Sequence, residues 1–195
     1  MRKLNNLDST MLPLNMSNVD TDQIMPKQFL KRVERSGYGE YLFYDWKKDP
    51  NFPLNNALYH DSKVLVAGHN FGTGSSREHA PWGLQDWGFD AIISTKFADI
   101  FRLNSINIGL LPIEASQKNV EALFSKIENN PKTKIKISVE NKFVECEDIN
   151  FEFDLDDFSQ KRIIEGIDKI DITLDYEDQI ENFSNGRKNW KPKLT

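Results

Sequence analysis

A repeated alternation of short apolar runs with amphipathic segments across residues 64–113 constrains the fold of this chain most strongly. The runs at 64–67, 91–94 and 110–113 are short and apolar, as buried strands are. Between them, residues 78–87 and 97–104 are predicted to be helices, the first with Ala80, Leu84 and Trp87 at helical spacing. Strands that alternate with helices build a largely parallel sheet covered by helices. The sequence therefore predicts an α/β fold.

Further elements are predicted on both sides of this region. A first strand is expected at 10–14, and Pro26 suits the first turn of a helix that runs to about Arg35. After a helix at 119–127, the alternating segment 135–139 and two further runs predict an antiparallel addition to the sheet. We expect a mixed-sheet domain over residues 1–157. Residues 158–195 are then a C-terminal helical extension and frayed tail of the same domain, with helices near 159–166 and 176–184.

Composition limits the classes of function. The chain has 195 residues, 25 Lys and Arg, 30 Asp and Glu, and a net charge of -5, which argues against nucleic acid as the main partner. Its apolar runs are too short to span a membrane. A single cysteine, Cys146, excludes an internal disulfide and cannot by itself hold a zinc ion or an iron–sulfur cluster. We therefore expect a cytoplasmic protein that holds no metal of its own.

The segment from Gly72 to Arg77 is the best candidate for a functional site. Two glycines let a ligand approach the backbone closely, and Ser75 and Ser76 follow them at the expected start of a helix. With Arg77 next in the chain, this place is suited to hold a carboxylate or to stabilise an alkoxide. The structural alternative is a capping box, Ser75 with Glu78, in which the serine only caps the helix.

Other glycine-containing motifs do not fit this segment. A P-loop needs a lysine after its last glycine, and the chain has no lysine after Gly74. A dinucleotide fingerprint needs a third glycine where Arg77 stands. A nucleophile elbow needs glycines on both sides of its serine, and neither serine is framed in that way.

Asp22 lies in a loop that leaves two interpretations open. Asn18, Asp20 and Asp22 alternate as in a calcium loop, but the glycine and glutamate that such a loop also needs are absent, so metal is not expected there. The loop is either an Asx turn that caps the helix near Pro26, or it holds Asp22 as a buried carboxylate that orients active-site groups.

The histidines give little support to a serine hydrolase. His79 would point away from Ser75 along the predicted helix. His69, at the end of a predicted strand, is a better candidate for a role in the site, although a hydrogen-bonded loop histidine fits equally well.

Six ordered segments cover nearly the whole chain at characteristic separations: 18–30, 37–46, 71–82, 97–101, 109–113 and 166–168. Together they resemble the swivel domain of the aconitase superfamily and, more narrowly, the small subunits of 3-isopropylmalate dehydratase. Two departures from the family pattern are visible: Thr73 stands where many members carry cysteine, and residues 105–108 replace a more polar stretch.

This resemblance implies a hydro-lyase that interconverts 2- and 3-isopropylmalate in leucine biosynthesis and is active only with a separate large subunit. It implies a [4Fe-4S] cluster held by the large subunit and none held by this chain. Ser75 corresponds to the catalytic serine that, as an alkoxide, takes a proton from carbon. Ser76 and Arg77 correspond to groups that bind a carboxylate of a small hydroxy dicarboxylate, and Asp22 to an active-site aspartate.

Three alternatives remain open from the sequence. The chain could belong to a related citramalate or homoaconitate dehydratase, because these enzymes share the same architecture. The residues that distinguish the substrates by their γ-group are expected in the loop at 31–37. It could be a non-catalytic, anion-binding regulatory module that uses the segment from Gly72 to Arg77. A stand-alone serine hydrolase is the third, and the lack of a well-placed histidine counts against it.

Overall fold

The protein is described by a computed structural model that covers residues 1–31, 36–174 and 176–186. One mixed sheet of seven strands forms the centre of the molecule, in the order β4-β3-β2-β1-β5-β6-β7. The strands are β1 Asn6–Leu14, β2 Val64–Ala67, β3 Ala91–Ser94, β4 Leu111–Glu114, β5 Lys134–Ser138, β6 Phe143–Cys146 and β7 Ile149–Glu152.

The sheet has a parallel half and an antiparallel half that meet at β1. Strands β1 to β4 run parallel, and β2 and β3 are buried at every residue, as strands covered on both faces are. From β5 to β7 the pairing is antiparallel, and β5 alternates buried with exposed residues because one of its faces meets solvent. The prediction of a mixed α/β sheet is confirmed.

Within the described residues seven α-helices accompany the sheet, and 3-10 turns at 39–41, 46–48, 53–55 and 57–59 occupy the long segment before β2. The helix α4 packs its apolar stripe on one face of the sheet, while α2 and the 3-10 segment pack on the other. The helices are α1 Thr21–Ile24, α2 His79–Trp87, α3 Asp99–Ile108, α4 Gln117–Asn129, α5 Asp157–Glu165, α6 Lys169–Leu174 and α7 Glu177–Asn185.

The first strand is longer than predicted. It begins at Asn6 rather than at residue 10, because its polar first half pairs with β5, with Leu7 opposite Ile137. That partner lies about 130 residues further along the chain, so the local sequence does not indicate the pairing.

The prediction of an α-helix that begins at Pro26 is wrong for its first residues. Pro26 instead precedes a short 3-10 turn, Lys27–Phe29. Its backbone hydrogen bonds join residues three apart, and the Leu30 N–H donates to the Lys27 carbonyl. The ring of Phe29 stacks on Tyr41 at 4.1 Å, and this contact holds the turn in place. Residues 32–35 of the predicted helix lie outside the described residues.

The C-terminal segment begins with a helix that belongs to the packed core. Ile163 of α5 is fully buried, and its carbonyl accepts a hydrogen bond from the Leu4 N–H at 3.0 Å. By contrast, the helix α7 exposes its large apolar residues, including Ile180 at 46% and Phe183 at 71%. The helix α6 was not predicted from the sequence.

Candidate active site

The chain leaves β2 through a tight turn that only glycine can make at two points. Gly72 has φ +79, and a Cβ there would lie 2.2 Å from Cγ of the Phe101 ring. Gly74 has φ +89, and a Cβ there would lie 2.7 Å from the Asp20 carboxylate. Both positions combine a left-handed backbone with close packing, which a side chain would prevent. This turn brings Ser75 to the surface, with its neighbours Ser76 and Arg77.

The loop before α1 is bound to this turn by hydrogen bonds. The Thr21 N–H donates to the Thr73 carbonyl at 2.8 Å, and the Thr21 hydroxyl donates to the Ser75 carbonyl at 2.9 Å. The Gly72 N–H donates to the Val19 carbonyl at 2.8 Å. Two segments about 50 residues apart in sequence are therefore held as one unit. No local sequence signal marks Thr21 for this role.

An ion pair joins the two charged candidates of the site. The Arg77 guanidinium donates through Nη1 to Oδ1 of Asp22, and Lys27 lies 3.5 Å from Oδ2 of the same carboxylate. The Arg77 side chain is 14% exposed and that of Asp22 is 36% exposed. A partly shielded pair of this kind fixes the direction of the guanidinium while its remaining N–H groups can still serve a ligand.

The caps of the two nearby helices differ from expectation. Asp20, rather than Asp22, caps α1, and it forms a capping box with Gln23. The predicted capping turn is therefore present, but its aspartate is Asp20 and its helix starts at Thr21, before Pro26. The carboxylate of Asp22 is thereby free to pair with Arg77, and it is half-exposed rather than buried.

The capping-box interpretation of Ser75 is wrong. Helix α2 begins at His79, its N-cap residue is Glu78, and within the described residues no side chain caps it. The Ser75 carbonyl instead accepts from the Arg77 N–H at 2.8 Å and from Thr21, which turns it away from the helix direction. The serines therefore lie upstream of the helix N-terminus, not at it, and Arg77 is the positive group that stands next to them in the chain.

A cleft of about 200 Å³ opens beside the serines and has two chemically different walls. The polar wall consists of Thr21, Ser75, Ser76 and Arg77 with the backbone of the two glycines. Residues 98–101, at the start of α3, form the other wall, which is apolar at Ala98, Ile100 and Phe101 and also carries the exposed carboxylate of Asp99. A cleft of this kind can hold a small molecule that carries a carboxylate at one side and an alkyl group at the other.

Backbone bonds place the apolar wall, and no local sequence signal could have revealed it. The Phe71 N–H donates to the Lys96 carbonyl at 2.9 Å, and the Ala98 N–H donates to the Phe71 carbonyl at 3.0 Å. The ring of Phe71 also meets that of Phe101 at 5.3 Å. These contacts bring the segment after β3 against the segment after β2, as expected for neighbouring parallel strands that end at the same edge.

The two candidate histidines lie in other surroundings. The His79 ring packs edge-on against Tyr38, with centroids 5.3 Å apart, and lies tilted against Trp82 at 4.7 Å. Burial lowers the pKa of His79. His69 shares a hydrogen bond of 2.9 Å between Nδ1 and the Thr95 hydroxyl, and it lines a separate polar groove of about 360 Å³. Neither is among the residues that line the serine cleft.

The single thiol does not fit an iron–sulfur ligand. Cys146 is 1% exposed within β6, and burial raises its pKa to about 11, whereas a ligand must be a thiolate open to the cluster.

Across residues 1–31, 36–174 and 176–186, no group of three or more His, Cys, Asp or Glu side chains is arranged to hold a metal ion. Over the same residues, no helix is long and apolar enough to cross a membrane.

Comparison with known proteins decides the family. Residues 1–118 match the family profile of the aconitase C-terminal domain. The 3-isopropylmalate dehydratase small subunit of Frankia casuarinae is 48% identical over 181 residues, which are 93% of either chain. The chain belongs to the family of 3-isopropylmalate dehydratase small subunits. The small subunit of Salinispora arenicola, 44% identical, aligns over all 195 residues and 100% of both chains.

A solved member of the family supports the same architecture. A crystal structure of 3-isopropylmalate dehydratase from Methanocaldococcus jannaschii superimposes with a TM-score of 0.65 at 25% identity. The match covers 91% of this chain and 98% of that one. The prediction of an aconitase-type swivel domain is therefore confirmed, and so is the family resemblance read from the motifs.

Proposed function

We propose that this chain is the small subunit of a heteromeric hydro-lyase that interconverts 2-isopropylmalate and 3-isopropylmalate in leucine biosynthesis. The reaction removes water and adds it back in the other orientation. The observation that carries the proposal is the exposed Ser75 beside an Arg77 that Asp22 holds in place, in a chain 48% identical to a small subunit of that dehydratase.

The two walls of the cleft suit this substrate class. A hydroxy dicarboxylate with an isopropyl group needs a cation for a carboxylate and an apolar surface for its methyl groups. Arg77 offers a planar fork that can grip a carboxylate through two N–H groups, and the Ser76 hydroxyl can add a further hydrogen bond. Ala98, Ile100 and Phe101 offer the apolar surface. This wall favours isopropylmalate over citramalate or homoaconitate, which lack a branched alkyl group.

We assign proton abstraction to Ser75. A serine hydroxyl is a weak base in water, so its alkoxide must be stabilised by positive charge in a site shielded from solvent. Arg77, two residues on, supplies that charge, and the partner Asp22 holds it in position. The alkoxide takes the proton from carbon beside a carboxylate, and the resulting hydroxyl can return a proton when water adds again.

We further propose that the large subunit carries the [4Fe-4S] cluster. Such a cluster supplies a Lewis acid for the leaving hydroxyl group. This chain contributes the base and the carboxylate grip, because its own buried Cys146 does not fit as a ligand. A cytoplasmic location, where thiols stay reduced, is part of the same proposal and suits the free thiol of Cys146.

We also propose that residues 1–157 and the described part of the C-terminal extension, 158–174 and 176–186, form one domain, whereas the expected frayed tail at 187–195 lies outside the described residues. The buried Ile163 and its hydrogen bond to Leu4, at the opposite end of the chain, support this arrangement.

Reconstitution with the large subunit tests the function. We expect no iron and no dehydratase activity in the purified chain alone, and activity on isopropylmalate once the cluster-loaded large subunit is added. Ser75→Ala should then lower kcat by roughly 10²-fold or more with little change in KM, since the base acts only in the transition state. Arg77→Lys keeps the charge but loses the fork, so it should raise KM markedly.

Ser125→Ala is the control, because Ser125 is an exposed serine on α4 and lines a different groove. Normal turnover by Ser75→Ala would reject the assignment of the base. Binding of isopropylmalate without turnover by the reconstituted pair would favour an anion-binding module instead. Higher kcat/KM on citramalate or homocitrate would transfer the chain to a related dehydratase.

A further inference from the structure

The helix α3 presents two large aliphatic side chains to solvent at the edge of the candidate active site. Ile100 is 51% exposed and Leu103 is 59% exposed. Residues three apart on a helix are neighbours on its surface, so the two side chains form one continuous apolar patch. The exposed Asp99, one turn before Leu103, and the half-buried Asn104 and Asn107 border the patch with polar groups.

The patch is continuous with the cleft and is rigidly attached to it. Ile100 lines the cleft together with Phe101, whereas Leu103 is not among the lining residues, so the patch starts at the mouth and runs outward. Phe101 is 2% exposed and packs against Phe71 and Phe97, which anchors the first turn of α3 to the turn that carries Ser75. A protein that binds the patch would therefore lie directly beside Ser75.

We propose that the patch formed by Ile100 and Leu103 is a docking surface for the large subunit. This inference rests on the proposed function, in which the reacting carbon must lie between Ser75 on this chain and a Lewis acid on the large subunit. Ser75 and Ser76 are exposed in the free chain, yet a serine alkoxide needs a site from which water is excluded. The subunit that completes the site must therefore cover the mouth of the cleft, where the patch begins.

A second copy of this chain does not fit as the occupant. Within the part of the chain that the structure describes, no group of side chains is arranged to hold a metal ion, so a second copy would not supply the Lewis acid that the proposed reaction needs. The two half-exposed aliphatic side chains can bury roughly 200 Å², a small part of the roughly 800 Å² per partner of a stable interface. The patch therefore fits the apolar centre of a larger contact with the large subunit, in which a few well-buried side chains dominate the affinity.

Binding to the large subunit, measured without turnover, tests the proposal. Leu103→Asp should raise the Kd for the purified cognate large subunit by roughly 10- to 100-fold, the range of a central interface residue. At saturating large subunit, kcat on isopropylmalate should stay within about twofold of wild type, because Leu103 does not line the cleft. Leu58→Asp is the matched control, since Leu58 is 53% exposed on a 3-10 turn elsewhere.

Unchanged affinity of Leu103→Asp, or equal weakening by Leu58→Asp, would overturn the proposal. A wild-type homodimer that Leu103→Asp converts to a monomer, with unchanged affinity for the large subunit, would overturn it in favour of a second copy. The proposed function fails separately: a pair that binds through the patch but isomerises no isopropylmalate would leave the docking surface intact.

Discussion

The ion pair between Asp22 and Arg77 leads to a prediction about substrate binding. In Asp22→Asn, the side chain keeps its shape and one acceptor oxygen but loses the charge that holds the guanidinium. A hydrogen bond to a charged group contributes about 1.5–3 kcal/mol. Because Asp22 is 36% exposed, solvent screening places the loss at the lower end, about 1.5 kcal/mol. That loss corresponds to a roughly tenfold lower kcat/KM on isopropylmalate, seen mainly as a higher KM.

Folding should be affected much less than substrate binding by this substitution. The loop of Asp22 stays attached to the Ser75 turn through the two hydrogen bonds of Thr21. We therefore expect a similar thermal midpoint for Asp22→Asn and wild type. Lys27→Ala is the matched control, because Lys27 lies 3.5 Å from the same carboxylate but is 73% exposed, and it should change kcat/KM by less than about threefold.

A double-mutant cycle decides whether Asp22 acts through Arg77. In an Arg77→Gln background the positive charge that Asp22 pairs with is gone, so Asp22→Asn should cost far less than it does in wild type. Steady-state kinetics on the reconstituted enzyme give all four kcat/KM values. If the two losses simply add, Asp22 does not position Arg77, and the reasoning from the ion pair is refuted.

The packing and the buried titratable groups give three further expectations. Gly72→Ala should lower the free energy of unfolding by about 3 kcal/mol or more, because its Cβ would meet the Phe101 ring. Gly88→Ala, with φ +124 and open space around it, should lose only about 1–2 kcal/mol in the same urea titration. Burial lowers the pKa of His79, so the unfolded chain binds a proton at this histidine before the folded chain does as the pH falls below about 6.5. The free energy of unfolding should therefore decrease below that pH, and it should decrease less in His79→Gln. Burial raises the pKa of Cys146 to about 11, so the thiol should resist iodoacetamide at pH 8 until urea unfolds the chain. Because the unfolded thiol loses its proton first, the free energy of unfolding should decrease as the pH rises from 9 towards 11.

Local sequence was sufficient for the elements that depend on their own residues. The apolar runs Val64–Ala67 and Ala91–Ser94 have the predicted bounds, because a short buried strand is apolar whatever its neighbours are. The glycines at 72 and 74 likewise marked the turn of the candidate site, since a left-handed backbone in close contact admits no other residue. Ser75, Ser76 and Arg77 follow directly from that turn.

Only the tertiary structure decided the relations between distant segments. The pairing of β1 with β5, the ion pair of Asp22 with Arg77 and the apolar wall of the Ser75 cleft all join residues that are far apart in sequence. The start of α2 at His79 also depends on such a contact, because a hydroxyl from Thr21 holds the Ser75 carbonyl out of the helix. Residue types and spacing specify local backbone preferences, but which side chains meet depends on how the sheet brings its strand ends together.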